Sequence, residues 1–247
     1  MDRQQLRLAT QLVREAQRIV VLSGAGISRP SGIPDFRSGS GVWMQHDPLE
    51  VASLHAFQHN PRRFYDWFNP LLGKIADARP NPAHIAVADL EHRRKLKAVI
   101  TQNIDGLHQH AGSREVYEMH GNLRSMSCLD CGNRVPSAPL LRQIERGAIP
   151  RCSICGGLYK PDVVLFDEAL PQGVFWLAQR ALEHCDLLIV AGTSLEVAPV
   201  CDMPLTALKH RARLIVVNLD ETYIDQRADA LLHEDVALAL PALAAAL

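Results

Sequence analysis

Four cysteines are spaced as two Cys-x-x-Cys pairs, Cys128/Cys131 and Cys152/Cys155, with twenty residues between the pairs. Each pair sets two thiolates on one tight turn, and two such turns supply the four corners of a tetrahedron around zinc. Gly132, Gly156 and Gly157 follow the second cysteines, where a knuckle needs unhindered backbone. Four thiolates close the coordination shell and leave no position for water, so the expected metal is structural. Two disulfides or four free buried thiols are the competing readings. Cys185 and Cys201 stand alone and read as packing residues.

A second group of residues lies after short apolar runs. Ile19-Val20-Val21-Leu22 leads into Ser23-Gly24-Ala25-Gly26-Ile27-Ser28. This is half of a GxGxxG turn, with Arg29 where the third glycine would stand. Such a turn lets backbone N–H groups approach a diphosphate, and the helix that follows favours the negative charge. A purely structural tight turn fits it equally well. Three further runs end the same way: 96–100 in Thr101-Gln102-Asn103-Ile104-Asp105, 186–191 in Gly192-Thr193-Ser194, and 213–217 in Asn218-Leu219-Asp220. No carboxylate at the end of the next strand takes the ribose role of a dehydrogenase, which weakens a hydride-transfer reading.

The elements that position these tips follow from periodicity. Leu6, Ala9, Leu12, Val13 and Ala16 recur at helical spacing over 2–18. Helical patterns over 82–94 and 172–184 separate the apolar runs. Strand, small polar tip and helix in alternation predict an α/β fold: a doubly wound, parallel, Rossmann-like sheet. In such sheets ligands bind beyond the carboxyl ends of the strands, where all four tips lie. Residues 121–161 interrupt the pattern with the paired cysteines and read as a small inserted zinc-binding module. Residues 35–70 read as an irregular loop and short helices over the crevice. The dinucleotide-binding domain is then 1–34, 71–120 and 162–247, closing in a short Ala/Leu-rich helix over 236–247.

Composition bounds the function. The 247 residues include 47% hydrophobic and 21% charged residues, as in ordinary globular chains. Lys+Arg is 26 against Asp+Glu 27, so broad electrostatic binding to nucleic acid is not expected. The charged start and the lack of a long apolar stretch predict neither a secretory signal nor a membrane span, hence a cytoplasmic protein. In a reducing cytosol, cysteines favour metal over disulfides.

Taken in order, the motifs are Gly24-Ala25-Gly26-Ile27-Ser28, Ser31 to Arg37, Thr101 to His108, His120-Gly121, the four cysteines, Lys160 to Glu168, Gly192-Thr193-Ser194 and Val217-Asn218. This set resembles the sirtuin family of NAD-dependent protein deacylases over about residues 15 to 236. The resemblance implies that NAD loses nicotinamide while the acyl oxygen of an acyl-lysine captures the ribose carbon, and that the acyl group leaves on ADP-ribose. His120 matches the base that activates a ribose hydroxyl, and an imidazole titrates in the right range for it. Eleven histidines are present, and only the motif singles out His120.

The same matches imply that Gly24, Ala25, Gly26, Ser28, Asp35 and Arg37 line the phosphate and ribose end. Phe36 would shield the reacting ribose carbon. Gln102 and Asn103 would position the ribose, and Asn103 and Asp105 join His120 in the catalytic set. Ile104 and Asp105 would grip the nicotinamide carboxamide. Gly192, Thr193, Ser194, Asn218, Leu219 and Val236 would take the adenosine end. Helix capping by Asp105, Ser28 and Ser194, and core packing by Phe36, are the structural alternatives. The partner would be an acylated-lysine protein or peptide, added as a strand beside Val164, Leu165 and Phe166, with the Val164 carbonyl accepting the acyl-lysine N–H.

Two departures stand out. The family's usual Phe-Gly-Glu reads Phe166-Asp167-Glu168 here. The carboxylate at the groove predicts a preference for basic residues near the target lysine. The Tyr-x-x-Arg of family members that remove acidic acyl groups aligns, without gaps, to Phe68 and Leu71, although Tyr65, Arg62 and Arg63 lie close by. Neutral acyl groups are then expected. An NAD glycohydrolase or ADP-ribosyltransferase on the same scaffold, and a non-catalytic NAD- or acyl-peptide-binding module, are the other functional readings. A monomer is the default, since neither terminus carries an association motif.

Overall fold

The computed structural model describes residues 2–36 and 41–247. The chain opens with α1 (Arg3–Glu15), capped by the Asp2 carboxylate, which accepts from the Gln4 and Gln5 N–H groups. It then enters β1 (Ile19–Ser23), every residue of which is buried. A 3-10 turn (Ala25–Ser31) follows, not the α-helix expected after the glycines. Pro30 and the left-handed Gly32 stop it after seven residues.

Residues 41–77 hold a short 3-10 turn (Val42–Met44), α2 (Pro48–Val51), α3 (Leu54–His59) and α4 (Pro61–Asp77). The long α4 was not expected from the sequence. Its start carries a clear signal: the Asn60 side chain accepts from Arg63 N–H, and Pro61 occupies the first turn. Pro70 inside the helix masked its continuity, and α4 runs unbroken through the domain boundary expected at 70/71. Next come α5 (Pro82–His92), β2 (Leu96–Thr101), α6 (Leu107–His110) and β3 (Val116–Glu118).

The inserted module contains β4 (Gly121–Cys128), β5 (Arg134–Pro136), α7 (Ala138–Glu145) and β6 (Tyr159–Val163). Its three strands form an antiparallel sheet in the order β5-β4-β6. The chain returns through α8 (Gln172–His184), β7 (Leu187–Ala191), α9 (Met203–Lys209), β8 (Arg213–Val217), β9 (Ala230–Leu232) and α10 (Val236–Ala244).

The main sheet has six parallel strands in the order β3-β2-β1-β7-β8-β9. The winding direction reverses between β1 and β7, so the crevice opens beyond their carboxyl ends. One apolar layer joins α1, α5 and α10 to one face of the sheet. A second joins α8 and α9 to the other. A third lies between α4 and the inserted module, built on Phe57, Phe64, Tyr65, Phe68, Met126 and Tyr159. The site therefore has a rigid sheet on one side and a separately cored lobe on the other. No helix among the described residues is long and apolar enough to cross a membrane.

Candidate active site and metal centre

The four strand tips meet at the switch point. Gly26 and Gly192 are in direct backbone contact: Gly26 N–H donates to the Gly192 carbonyl at 2.8 Å. A Cβ on Gly26 would lie 2.8 Å from the Gly192 Cα, and Gly192 has a positive φ of 61°. These glycines are thus required to press the β1 tip against the β7 tip. The Gly24 amide is also engaged, with Ala191 O at 3.3 Å. Ala25 is first in the 3-10 turn, where N–H groups lack intrahelical partners.

Side chains from the β2 tip tie the crevice together. Gln102 Nε2 donates to Thr193 Oγ1 at 2.9 Å. Asn103 Nδ2 donates to the Gly24 carbonyl at 3.0 Å and to Ser28 Oγ at 3.1 Å. Ser28 Oγ donates to Asp105 Oδ2 at 2.7 Å, and Leu107 N–H donates to Asp105 Oδ1 at 2.9 Å. Asp105 therefore caps the start of α6 as well as facing the cavity. Burial raises its carboxyl pKa above the ordinary value, against the two hydrogen bonds that favour the ionised form.

His120 follows β3 and precedes β4. Its Nδ1 lies 3.0 Å from the Gln102 carbonyl. A carbonyl can only accept, so Nδ1 carries the proton and Nε2 is the basic nitrogen. The next residue, Gly121, has a φ of 74°, and a Cβ there would collide with the Asp162 carbonyl. Only glycine lets β4 pass β6 directly behind the imidazole.

Two cavities adjoin at His120. The first, about 170 Å3, is lined by Gly24, Ala25, Gly26, Asp35, Phe36, Gln102, Asn103, Gly192, Thr193, Ser194, Asn218, Leu219 and Val236. The second, about 280 Å3, is lined by Ser28, Ile104 and Asp105, by Val164, Leu165 and Phe166, and by apolar side chains of α4. Ala25, Phe36, Gln102, Asn103 and His120 border both. Every expected site residue of the sheet domain thus reaches one cavity or the other, except Arg37, which lies outside the described residues.

The apolar cavity settles which α4 residues face it. Trp67, Phe68, Leu71 and Ile75 line its wall. Tyr65 is buried elsewhere, donating its hydroxyl to the Tyr159 carbonyl at 2.6 Å. Arg62 donates to Gly147 O, and Arg63 pairs with Glu50. Phe68 and Leu71, the residues to which the gapless alignment points, both line the cavity, and no Lys or Arg among the described residues does. Trp43 stacks on Trp67 at 5.5 Å and against Phe36 at 5.2 Å, closing the aromatic wall.

One edge of the cavity is the segment after β6. Val164 N–H donates to the His120 carbonyl at 2.8 Å. Phe166 exchanges backbone bonds with Ala52 O and Leu54 N–H, at 2.9 Å each. No described group donates to the Val164 carbonyl, the acceptor expected for an acyl-lysine N–H.

In the inserted module, the four cysteine Sγ atoms lie within 4.8 Å of one another. Cys128 and Cys155 Sγ are 3.5 Å apart, and Cys131 and Cys152 Sγ 3.7 Å. A tetrahedron with Zn–S bonds of about 2.3 Å has edges of about 3.8 Å. Disulfide sulfurs would be about 2.05 Å apart. The arrangement fits zinc and excludes the disulfide alternative. Gly132 and Gly156 have φ of 71° and 78°, as the knuckles need. Cys185 is buried, and burial pushes its thiol up to about 12, consistent with a packing role.

Arg29, Trp43 and the α4 residues Trp67 and Ile75 were not assigned from the sequence, whereas Phe68 and Leu71 were. Arg29 borders the polar cavity and pairs with Asp35 at 3.3 Å. Its place as the missing third glycine was the available signal. Trp67 and Ile75 were hidden with the continuity of the helix itself.

A family model described as the Sir2 family matches residues 24–199. NAD-dependent protein deacylase 2 of Archaeoglobus fulgidus is 45% identical over 222 residues, covering 90% of this chain and 87% of that one. NAD-dependent protein deacetylase 2 of Caldanaerobacter subterraneus is 44% identical over 234 residues, covering 94% and 92%. A solved Sir2 enzyme bound to a myristoylated histone peptide matches with a TM-score of 0.84 at 36% identity, covering 99% and 97%. Another Sir2 enzyme structure reaches a TM-score of 0.95 at 41% identity, covering 99% and 98%. With this coverage and the geometry above, the chain belongs to the Sir2 family.

Proposed function

We infer that this chain is an NAD-dependent protein-lysine deacylase, transferring an acyl group from lysine to ADP-ribose with release of nicotinamide. The observation that carries this reading is the placement of His120 where a polar crevice meets an apolar cavity. The polar side suits a dinucleotide and the apolar side an acyl-lysine. NAD supplies the electrophilic ribose carbon and, after nicotinamide leaves, the hydroxyl that receives the acyl group.

The chain's own residues have separable tasks. His120, with Nδ1–H held by Gln102 O, presents Nε2 as the base for a ribose hydroxyl. Asn103, fixed by Gly24 O and Ser28 Oγ, orients the ribose. Asp105 and Ile104 hold the carboxamide, the carboxylate accepting from its NH2 group. Phe36 covers the reacting carbon from solvent, and Val164 O accepts from the acyl-lysine N–H. The zinc centre does no chemistry, because four thiolates leave it no open position.

His120→Ala is expected to reduce acyl transfer by about 10²- to 10⁴-fold. Zinc content and thermal midpoint should stay near wild type. Retained transfer in a folded variant would remove His120 from its role.

The acyl groups are neutral. Phe68 and Leu71 offer apolar contact and no cation to an acid tail. An acetyl-lysine peptide should have a higher kcat/KM than its succinyl counterpart, and the reverse order would refute this point.

A further inference from the structure

We propose that Asp167 selects acyl-lysine peptides carrying a basic residue beside the modified lysine. The proposal rests on the deacylase reading and names the substrate class of that same groove.

Residues 165–168 form a tight turn. Glu168 N–H donates to Leu165 O at 3.2 Å, and Leu165 N–H donates back to Glu168 Oε2 at 2.8 Å. Asp167, third in the turn, has a φ of 70°. A turn closed this way with a left-handed third residue takes glycine at least cost. This chain keeps a carboxylate there instead, in a conformation that side chains other than Asn and Asp rarely accept.

The turn cannot relax to hide that carboxylate. Lys160 Nζ donates to Val163 O at 2.7 Å and to Glu168 Oε2 at 2.9 Å, so the turn is clamped from below. Phe166 is bridged on its other side to the segment 52–54. The Asp167 side chain is left exposed at the cavity edge and makes no ion pair or hydrogen bond with any described residue.

No Lys or Arg among the described residues lines the cavity beside it, and Lys160 is committed to Glu168. Val197 and Ala198 also line this cavity and add no charge. A peptide lying along the 164–168 edge passes the exposed Asp167 carboxylate. Arg or Lys beside the acyl-lysine would pair with it, and Asp or Glu would be repelled.

The test uses acetyl-lysine peptides with Arg, Ala or Glu placed in turn at the two positions on either side of the acetyl-lysine. Wild type, Asp167→Asn and Asp167→Lys are compared with NAD at low ionic strength. Asn tolerates the left-handed turn, so it removes charge without demanding a new backbone. At one position, wild type is expected to favour Arg over Glu by about two- to fivefold in kcat/KM, expressed mainly in KM. The Arg/Glu ratio should fall to about one in Asp167→Asn, invert in Asp167→Lys, and shrink in wild type at high salt. A wild-type ratio near one at every position, with normal turnover, overturns the proposal alone. So does an unchanged ratio in Asp167→Asn. If none of the peptides turns over with NAD, the deacylase reading itself fails and takes the proposal with it.

Discussion

At the residue scale, the site is held by backbone carbonyls and buried hydroxyls more than by charge. Asp105 is the exception. Burial raises its pKa, while its proposed task of accepting from a carboxamide requires the ionised form. As pH falls through that raised pKa, the neutral acid loses an acceptor. The acid limb of kcat/KM for NAD should therefore lie above the ordinary aspartate range. Asp105→Asn should abolish that limb and lower kcat/KM by about 10- to 100-fold. A limb at the ordinary aspartate pKa would contradict the assignment. Chemistry at this scale was legible in the sequence where spacing carried it. Two Cys-x-x-Cys pairs can do little else, and the cysteines do cluster. His120 was legible only through its neighbours, because nothing in a single histidine distinguishes it from the ten others.

At the element scale, β1, β2, β7 and β8 were readable because central parallel strands are buried on both faces and show as near-continuous apolar runs, broken only by the exposed Lys97 in β2 and Arg213 at the start of β8. The edge strands β3 and β9 have three residues each, too few to show a period. The helix α4 was missed because Pro70 and a run of aromatics imitate an irregular segment. The inserted lobe is the element on which zinc acts. Its third hydrophobic cluster joins α4 to β4 and β6, and Cys128 and Cys152 belong to it. Removing the metal should loosen this lobe and, through β6, the Val164 edge of the cavity. Chelation is expected to release zinc and abolish acyl transfer, in step with loss of the lobe's protection from amide exchange. Zinc should restore both. Activity lost while the lobe stayed protected would give the metal a catalytic part that four thiolates do not allow.

At the scale of the whole molecule, the sheet domain contains a buried histidine pair that ties stability to pH. The His84 and His108 rings are 4.9 Å apart. His108 Nε2 pairs with Ser23 Oγ at 2.9 Å at the end of β1, and His84 Nδ1 accepts from Asn81 N–H at the start of α5. Their other ring nitrogens have no partner among the described residues. Burial lowers His84 to about 4 and His108 to about 3, from an ordinary 6.5. Between pH 6.5 and those values the unfolded chain binds more protons than the folded one, so stability rises with pH. The stabilisation is complete above about pH 6.5 and declines below it, at up to about 1.4 kcal/mol per pH unit for each histidine. Urea unfolding between pH 7 and pH 4.5 should show this loss, and His84→Asn should flatten it. A free energy independent of pH over that window would contradict the pair's burial.

The central claim is that one site couples NAD cleavage to acyl-lysine turnover. The most direct measurement is a mass balance by mass spectrometry on the purified chain, NAD and an acetyl-lysine peptide. Nicotinamide, deacetylated peptide and O-acetyl-ADP-ribose should form in equal amounts, with none formed when either substrate is omitted. Nicotinamide release without the peptide, or ADP-ribose attached to protein in place of O-acetyl-ADP-ribose, would contradict the account.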